Sequence, residues 1–143
     1  MVVLLARQAG TAKAFGPLAD ALEAVGETVQ LAALGTARET WAERHPLTGE
    51  GFADVAPELG DLAPASVLVT GTSASPEDDA RSWAWARKRG LRTVAFVDSW
   101  VNYGARFKAP SGDWVVPLPD VIACPDGLAA KGLVGSWRRA LAK

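Results

Sequence analysis

The sequence predicts an α/β fold, a three-layer sandwich in which helices cover both faces of a five-stranded parallel, Rossmann-like sheet. Three observations support this fold class. Short runs of β-branched and aliphatic residues begin near residues 2, 28, 67, 93 and 121. Segments with helical spacing separate these runs, and alternating strands and helices are typical of parallel sheets. Small and polar residues follow several runs directly, as they do at the edge where open α/β sheets bind ligands.

Size and composition are those of an ordinary globular chain, and we expect one Rossmann-like domain over residues 1–143. Hydrophobic residues make up 49% of the chain and charged residues 22%, which argues against disorder. A formal net charge of -1 provides no long-range attraction to nucleic acid, so none is expected as a partner. With one cysteine, Cys124, and one histidine, His45, we expect no internal disulfide and no metal site.

The N-terminus indicates a strand and not a targeting segment. Val2 to Ala6 is a continuous apolar run with no basic residue before it, so we expect neither a signal peptide nor a membrane span. Runs of this kind are typical of central parallel strands that are covered on both faces. A cytoplasmic location is therefore expected.

A helix and a second strand complete the first βαβ unit. Arg7 to Thr11 is predicted as the loop that leaves the first strand. The regular part of the helix is expected to begin near Gly16, because Pro17 is tolerated in a first turn but is unfavourable in a helix interior. Thr28 to Ala33 is predicted as the second strand.

Residues 36–64 show the weakest pattern in the chain. Arg38 to Arg44 and Phe52 to Leu59 predict two short helices, and glycine and proline residues interrupt any longer element. We expect an irregular excursion at the sheet edge, where long loops are either functional or disordered.

The centre of the chain predicts a second crossover, from the strand at Val67 to the strand at Thr93. Ser75 is expected to cap the helix between them, with Pro76 at its first position and three acidic residues in its first turn. Trp83 and Trp85 are two residues apart and cannot share a helix face. One should therefore pack on the sheet, and the other should be at least partly exposed.

The last strand is predicted at Val121 to Cys124, followed by a helix from Leu128 to Ala142. We expect the strand order 3-2-1-4-5, with a topological switch point between the first strand and the strand that begins at Val67. The loops Arg7 to Thr11 and Gly71 to Ser75 should face each other there.

Two of these loops supply most of the candidate ligand-binding residues. Arg7 combines a fixed cation with backbone amides at a helix N-terminus, which suits an anion, although a plain structural turn explains it equally well. The hydroxyls and amides of the second loop suit sugar hydroxyls or a phosphate, although these residues also suit helix capping. The candidates in the two loops are Arg7, Gly10, Thr11, Gly71, Thr72 and Ser73.

A third loop follows the strand that ends at Val97. Asp98 is the candidate catalytic residue, because a carboxylate at a strand end can act as a base or bind a hydroxyl; its alternative role is to cap the next turn. The other candidates in this segment offer stacking surfaces for a sugar ring, or for a partner, and hydrogen-bond donors. They are Trp100, Asn102, Tyr103 and Arg106.

Much of the chain resembles the N-terminal half of a group of bacterial surface-carbohydrate proteins, which are similar to GT-B glycosyltransferases and UDP-N-acetylglucosamine 2-epimerases. The matching features are Thr70–Ser73, Val94–Asp98, Trp100–Tyr103, Arg106–Phe107 and Leu118–Asp120. The resemblance implies a GT-B N-terminal-like domain that binds an acceptor sugar or a nucleotide-sugar fragment, with no cofactor. Because such enzymes have two facing halves, it also implies no complete activity alone. The chain is then a free-standing relic that binds a carbohydrate-related ligand, a subunit completed by a partner carrying the C-terminal half, or a homodimer.

An alternative remains open, in which the chain is a non-catalytic interaction or regulatory module with a Rossmann-like fold. Six tryptophans are many for one small core and favour an interface. A flavodoxin-like or response-regulator role has less support, because the first strand ends in Arg7 and Gln8 and not in an acidic pair. Whether the chain is an enzyme is left undecided at this point.

Overall fold

The computed structural model describes residues 1–60, 62–63, 66–73, 76–98, 104–115 and 117–141, with the backbone alone for 136–141. Its strands are β1 (Val2–Ala6), β2 (Val29–Leu34), β3 (Leu47–Gly49), β4 (Val67–Thr70), β5 (Arg92–Phe96) and β6 (Val121–Ala123). Its helices are α1 (Ala9–Ala24), α2 (Ala37–Thr40), α3 (Phe52–Val55), α4 (Glu77–Lys88) and α5 (Gly127–Leu141), with 3-10 turns at Ala42–Arg44 and Ala105–Phe107.

The strands form one parallel sheet in the order β3-β2-β1-β4-β5-β6. The predicted α/β class is confirmed, and the observed order is close to the predicted order 3-2-1-4-5. The structure has one strand more than the five predicted, so the strand at Val67, the third of the predicted five, is β4. The third strand in sequence is β3, which lies in the segment predicted to be irregular. It forms because it pairs with Ala32, Ala33 and Leu34 of β2. A three-residue segment carries too little pattern to predict such a tertiary contact.

The switch point of the sheet lies where it was predicted. Strand β1 pairs with β2 on one side, from Val2 opposite Val29, and with β4 on the other, from Val2 opposite Val67. The connection that leaves β1 leads to β2 and the connection that leaves β4 leads to β5, in opposite directions along the sheet, so a gap opens between the carboxyl ends of β1 and β4. The loops that follow these two strands meet at that gap.

Helix α1 begins at Ala9, so its predicted start near Gly16 is wrong, and Pro17 lies inside it. Pro17 cannot donate to the carbonyl of Lys13, but both residues are exposed and water can satisfy that carbonyl. Burial of Phe15 and Ala19 on the inner face of α1 offsets the loss. The correction places Gly10 and Thr11 in the first turn of a helix, whereas Arg7 lies in the short connection before it.

Hydrophobic clusters fill both faces of the sheet. One cluster joins α1 and Trp41 to the sheet, and a second joins α3 and α4 to its other face. Trp83 is fully buried and donates a hydrogen bond from Nε1 to Thr70 Oγ1 at 3.1 Å. Trp85 is half-buried and packs against Phe52 with ring centroids 5.6 Å apart. The predicted division between the two tryptophans is confirmed.

Other predicted bounds shift modestly. The predicted helix at Arg38 to Arg44 divides into α2 and a 3-10 turn, and α3 ends at Val55, before the predicted Leu59. Pro76 stands at the N-cap position of α4, one residue before its first turn, a difference within the usual uncertainty of helix ends. The predicted cap, Ser75, lies outside the described residues.

No helix in the described part of the chain is long and apolar enough to cross a membrane.

Candidate functional site

A narrow crevice lies at the carboxyl edge of the sheet, at the switch point between β1 and β4. Arg7, Gln8 and Thr11 line it from the end of β1 and the first turn of α1. Residues 71–73 line it from the loop after β4, and Asp78 and Asp79 line it from the first turn of α4. Its volume is about 10 Å³, which is the space of about one water molecule. A hydroxyl-sized group can therefore enter the crevice.

The loop after β4 and the first turn of α1 are in direct contact through Gly71 and Thr11. A Cβ atom on Gly71 would lie 2.6 Å from Thr11 Cγ2 and 2.7 Å from Thr11 Oγ1. Thr11 is 2% exposed, so it has little room to move away. Packing between the loops thus requires a glycine at this position, whether or not a ligand approaches it.

Arg7 is the cation of the crevice, and it is already paired. Its Nη1 atom lies 3.0 Å from Asp78 Oδ2, and the Asp78 side chain is only 11% exposed. Arg81, whose side chain is 70% exposed, approaches the other carboxylate oxygen of Asp78 at 3.5 Å. The positive charge that was predicted to attract an anion therefore balances a carboxylate of the protein.

Asp79 holds the loop after β4. Its Oδ2 atom accepts hydrogen bonds from the backbone N–H and the hydroxyl of Ser73, both at 3.1 Å. Burial raises the pKa of the Asp79 carboxyl to about 6, although the Ser73 hydrogen bonds and Arg7 oppose the rise. Sequence reasoning missed both Asp78 and Asp79 as site residues, because acids in a first helical turn are explained by the helix dipole alone.

Arg106 joins the ends of β4 and β5. Its Nη1 atom donates to the backbone carbonyl of Thr72 at 2.8 Å, to Thr72 Oγ1 at 2.9 Å and to Asp98 Oδ1 at 3.0 Å. Thr72 in turn donates from Oγ1 to the carbonyl of Phe96 at 3.3 Å. The Nε atom of Arg106 is buried and has no hydrogen-bond partner among the described atoms. Three predicted residues thus form one cluster beside the crevice.

A larger hollow lies at the N-terminal end of α4, whose first turn also contributes residues to the crevice. Its volume is about 510 Å³, and its lining includes Pro76, Glu77, Gly104 and Lys108. The Nζ atom of Lys108 lies 5.1 Å from the centroid of the Trp114 ring. The hollow has the size of a small-molecule site, for which about 300–1,000 Å³ is usual.

The structure brings most of the sequence-predicted residues to this one edge. Arg7, Thr11 and residues 71–73 line the crevice, and Asp98 and Arg106 are tied to it through Thr72. Gly10 lies in the first turn of α1 with open space where a Cβ atom would be. Trp100, Asn102 and Tyr103 lie outside the described residues. Among the described residues, no group of histidine, cysteine and acidic side chains could hold a metal ion.

Comparison with known proteins gives one informative likeness. No protein-family model matches the chain, and no curated protein matches it significantly. The crystal structure of an RpiR transcription factor from Sphaerobacter thermophilus, described as its sugar isomerase domain, matches with a TM-score of 0.50 and 20% identity. The match covers 99% of this chain and 74% of that chain. At this identity the likeness shows the fold alone, which is Rossmann-like.

The resemblance to the N-terminal half of GT-B glycosyltransferases and UDP-N-acetylglucosamine 2-epimerases is wrong. The structural neighbour belongs to a different fold family, and the matching residues have local roles. Thr70 accepts the Trp83 hydrogen bond, and Asp120 accepts hydrogen bonds from Thr93 N at 2.8 Å and Thr93 Oγ1 at 2.9 Å. The C-terminal-half partner that the resemblance implied loses its basis.

Proposed function

We propose that this chain is a single Rossmann-like domain that binds a sugar at the carboxyl edge of its sheet. The observation that carries the proposal is the crevice at the switch point, where Arg7 meets residues 71–73 across β1 and β4. Open α/β sheets bind ligands at this place. The likeness to a structure described as a sugar isomerase domain supports a sugar as the ligand class.

The geometry gives the sugar two places to contact. One hydroxyl group enters the crevice, where Arg7 offers donors and Asp78 offers acceptors. The ring lies over the rim toward the hollow of about 510 Å³ beside Glu77 and Lys108. Thr72 and Ser73 add backbone and hydroxyl groups to the lining of the crevice.

Residues of the third loop complete the proposed site. Asp98 is the carboxylate that we propose for proton transfer in a reaction at this rim, since its side chain is 25% exposed beside Thr72. Arg106 positions Asp98 and Thr72 through the hydrogen bonds already described. Trp100, Asn102 and Tyr103 follow in sequence, and we propose them for stacking on the sugar ring and bonding its hydroxyls.

Calorimetric titration with D-glucose, D-galactose, D-mannose and D-fructose tests the proposal. We expect at least one of these sugars to bind, and Arg7→Ala to weaken its binding at least tenfold. Arg44→Ala is the matched control, because Arg44 pairs with Asp20 at 2.8 Å on the exposed side of α1. Absence of binding across the panel, or an Arg7→Ala protein that binds like the wild type, would contradict the proposal.

The alternative of an interaction module has less support. It was based on a surplus of tryptophans, yet Trp41 and Trp83 are buried and Trp85 and Trp114 are half-buried. Those are the tryptophans whose side chains the structure describes. Light scattering during size-exclusion chromatography tests self-association, and a concentration-dependent dimer would restore this alternative.

A further inference from the structure

The loop after β4 is fixed at each of residues 71–73, and each contact comes from a different element. Packing on α1 fixes Gly71. Arg106 fixes Thr72 through hydrogen bonds of 2.8 Å to its carbonyl and 2.9 Å to its hydroxyl. Asp79 in the first turn of α4 fixes Ser73 by accepting from its backbone N–H and its hydroxyl, both at 3.1 Å. Because residues 71–73 line the crevice, these contacts determine how the loop presents its polar groups there.

The charge of Asp79 is unfavourable for the fold. Asp79 is 6% exposed, and burial raises the pKa of its carboxyl to about 6. A raised pKa means that folding is less favourable with the ionised group than with the neutral one, so the charge present at pH 7.5 lowers the stability of the protein. An asparagine has nearly the same shape, and its side-chain oxygen accepts hydrogen bonds without this penalty. Stability alone therefore does not explain a carboxylate at this position.

The charge strengthens the contact with the loop. Hydrogen bonds to a charged acceptor are roughly twice as strong as those between neutral groups. A single oxygen, Oδ2 of Asp79, accepts both hydrogen bonds from Ser73, so the charge acts on the backbone and the side chain of one residue. The loop is thereby held in place before a ligand arrives, and a preorganised site loses less conformational entropy on binding. Desolvated charges are concentrated at functional sites.

Two charged groups act on Asp79 from the elements around it. Arg7 at the end of β1 favours the ionised carboxylate, and Asp78, the preceding residue of α4, opposes it. Leu5 and Leu34 line the same crevice from β1 and β2 and carry no charge. A guanidinium keeps its charge throughout the pH range in which proteins are studied. A pH dependence that disappears in Asp79→Asn is therefore assigned to Asp79 itself.

We infer that Asp79 is a positioning residue for ligand binding: its carboxylate holds Ser73 in the orientation that binds the sugar, at the expense of stability. This inference rests on the proposed function, because it concerns the same site. A contact that serves only the fold loses stability when it is weakened. For Asp79 we expect affinity and stability to change in opposite directions.

Asp79→Asn tests the inference, with Asp120→Asn as the matched control. Asp120 accepts hydrogen bonds from the N–H and the hydroxyl of Thr93 at 2.8 and 2.9 Å, at the opposite edge of the sheet. Calorimetric titration at pH 7.5 uses the same four hexoses, D-glucose, D-galactose, D-mannose and D-fructose. We expect Asp79→Asn to weaken binding about tenfold, the usual difference between hydrogen bonds to charged and to neutral groups. It should also raise the midpoint of urea denaturation at this pH, whereas Asp120→Asn should leave the affinity unchanged.

The wild-type protein provides a second measurement that needs no variant. Because the pKa of Asp79 is raised to about 6 by burial, its carboxyl is mostly ionised at pH 7.5 and mostly protonated at pH 5. Sugar affinity should therefore fall between pH 7.5 and pH 5 by about the factor that Asp79→Asn causes at pH 7.5. This pH dependence should be absent from Asp79→Asn and present in Asp120→Asn.

The outcomes separate the inference from the proposed function. A sugar that binds equally well to the wild type and to Asp79→Asn overturns the inference and leaves the proposed function standing, and so does a wild-type affinity that is the same at both pH values. An Asp79→Asn protein that loses stability together with affinity also overturns it, because the role of Asp79 is then structural. If none of the four sugars binds, the proposed function fails, and the inference fails with it.

Discussion

The two edges of the sheet contain the same hydrogen-bond arrangement in different surroundings. At the carboxyl edge, Asp79 accepts from the N–H and hydroxyl of Ser73, and at the amino edge, Asp120 accepts from the N–H and hydroxyl of Thr93. Burial raises the pKa of Asp79 to about 6. The backbone hydrogen bond from Thr93 lowers the pKa of Asp120, which is exposed.

The difference favours the proposal that the carboxyl edge of the sheet binds the ligand. The hydrogen bonds between Asp120 and Thr93 connect the segment before β6 to the start of β5, and Asp120 is exposed to solvent. At the other edge, Asp78 and Asp79 are buried residues beside a crevice. Desolvated charges are expensive to maintain and are concentrated at functional sites. The following predictions test this contrast, from the largest expected effect to the smallest.

Gly71→Ala should destabilise the protein most, because the new Cβ atom would lie 2.6 Å from buried Thr11. We expect a loss of about 3 kcal/mol in the free energy of unfolding, at the upper end of what overpacking costs. Gly10→Ala is the matched control in the first turn of α1, where nothing lies within 4 Å of the new atom. It should leave stability unchanged or raise it slightly. Urea denaturation of both variants measures the difference.

Thr11→Ala in the Gly71→Ala background should recover part of the lost stability, because it removes the two nearest of the three Thr11 atoms that the new Cβ meets. Equal stability of Gly71→Ala and Gly10→Ala would contradict direct packing between the two loops. So would a double variant that is less stable by the full sum of both single changes.

Arg7→Ala should cost about 2 kcal/mol of stability, because it removes the closer partner of the largely buried Asp78 carboxylate and leaves only the exposed Arg81, at 3.5 Å. The value is below that of a fully buried pair since the Arg7 side chain is 36% exposed. Arg44→Ala breaks an ion pair of similar length, 2.8 Å, on the surface, and should cause no measurable loss. Thermal unfolding of the two variants compares a desolvated pair with a solvated one.

The outcome that contradicts this account is equal loss in Arg7→Ala and Arg44→Ala. Salt provides a second readout, because the exposed pair is screened and the buried pair is much less so. Raising the salt concentration to 1 M should therefore leave the Arg7→Ala deficit largely in place.

Asp79 and Asp120 should give stability–pH slopes of opposite sign. The pKa of Asp79 rises from 3.8 to about 6 on folding, so the folded state binds more protons between these values and stability falls as pH rises through them. Above about pH 6 the loss is complete. Asp79→Asn removes this slope, and the variant should gain about 2 kcal/mol relative to wild type between pH 4 and pH 7.

Asp120 has a lowered pKa in the folded state, so its contribution to stability is present above its ordinary pKa and is lost as pH falls below it. Asp120→Asn should therefore differ from wild type equally at pH 5 and pH 7. Urea denaturation at pH 4, 5, 6 and 7 separates the two variants. Parallel curves for Asp79→Asn and the wild type would remove the distinction between the two edges.

Local sequence patterns were sufficient for most of the fold. The apolar runs at β1, β2, β4, β5 and β6 are bounded by polar turns, and the break between β2 and β4 located the switch point. Strand β3 was not predicted, because Leu47–Gly49 has only three residues and none of them is fully buried. It is a strand because its backbone pairs with β2, which lies 13 residues or more before it in the chain.

The sequence predicted which loops form the site but not which side chains pair with one another there. Arg7, Gly71 and Ser73 were placed on a common edge because each follows or ends an apolar run. Their partners, Asp78 and Asp79, lie in a helix whose acidic first turn already has a local explanation. The ion pair between Arg7 and Asp78 cannot be predicted from the local sequence around either residue. The family resemblance failed for a similar reason. It was based on short motifs, and residues of those motifs such as Thr70 and Asp120 make hydrogen bonds within the fold that the motifs alone do not reveal.

The most direct test of the central claim is a ¹⁵N–¹H NMR titration of the wild-type protein with a neutral hexose at pH 7.5. Binding at the switch point predicts saturable shift changes for the amides of Arg7, Gly10, Thr72 and Ser73, with the amides of β6 unmoved. Changes confined to β6 and α5, or no saturable change at any amide, would contradict the account.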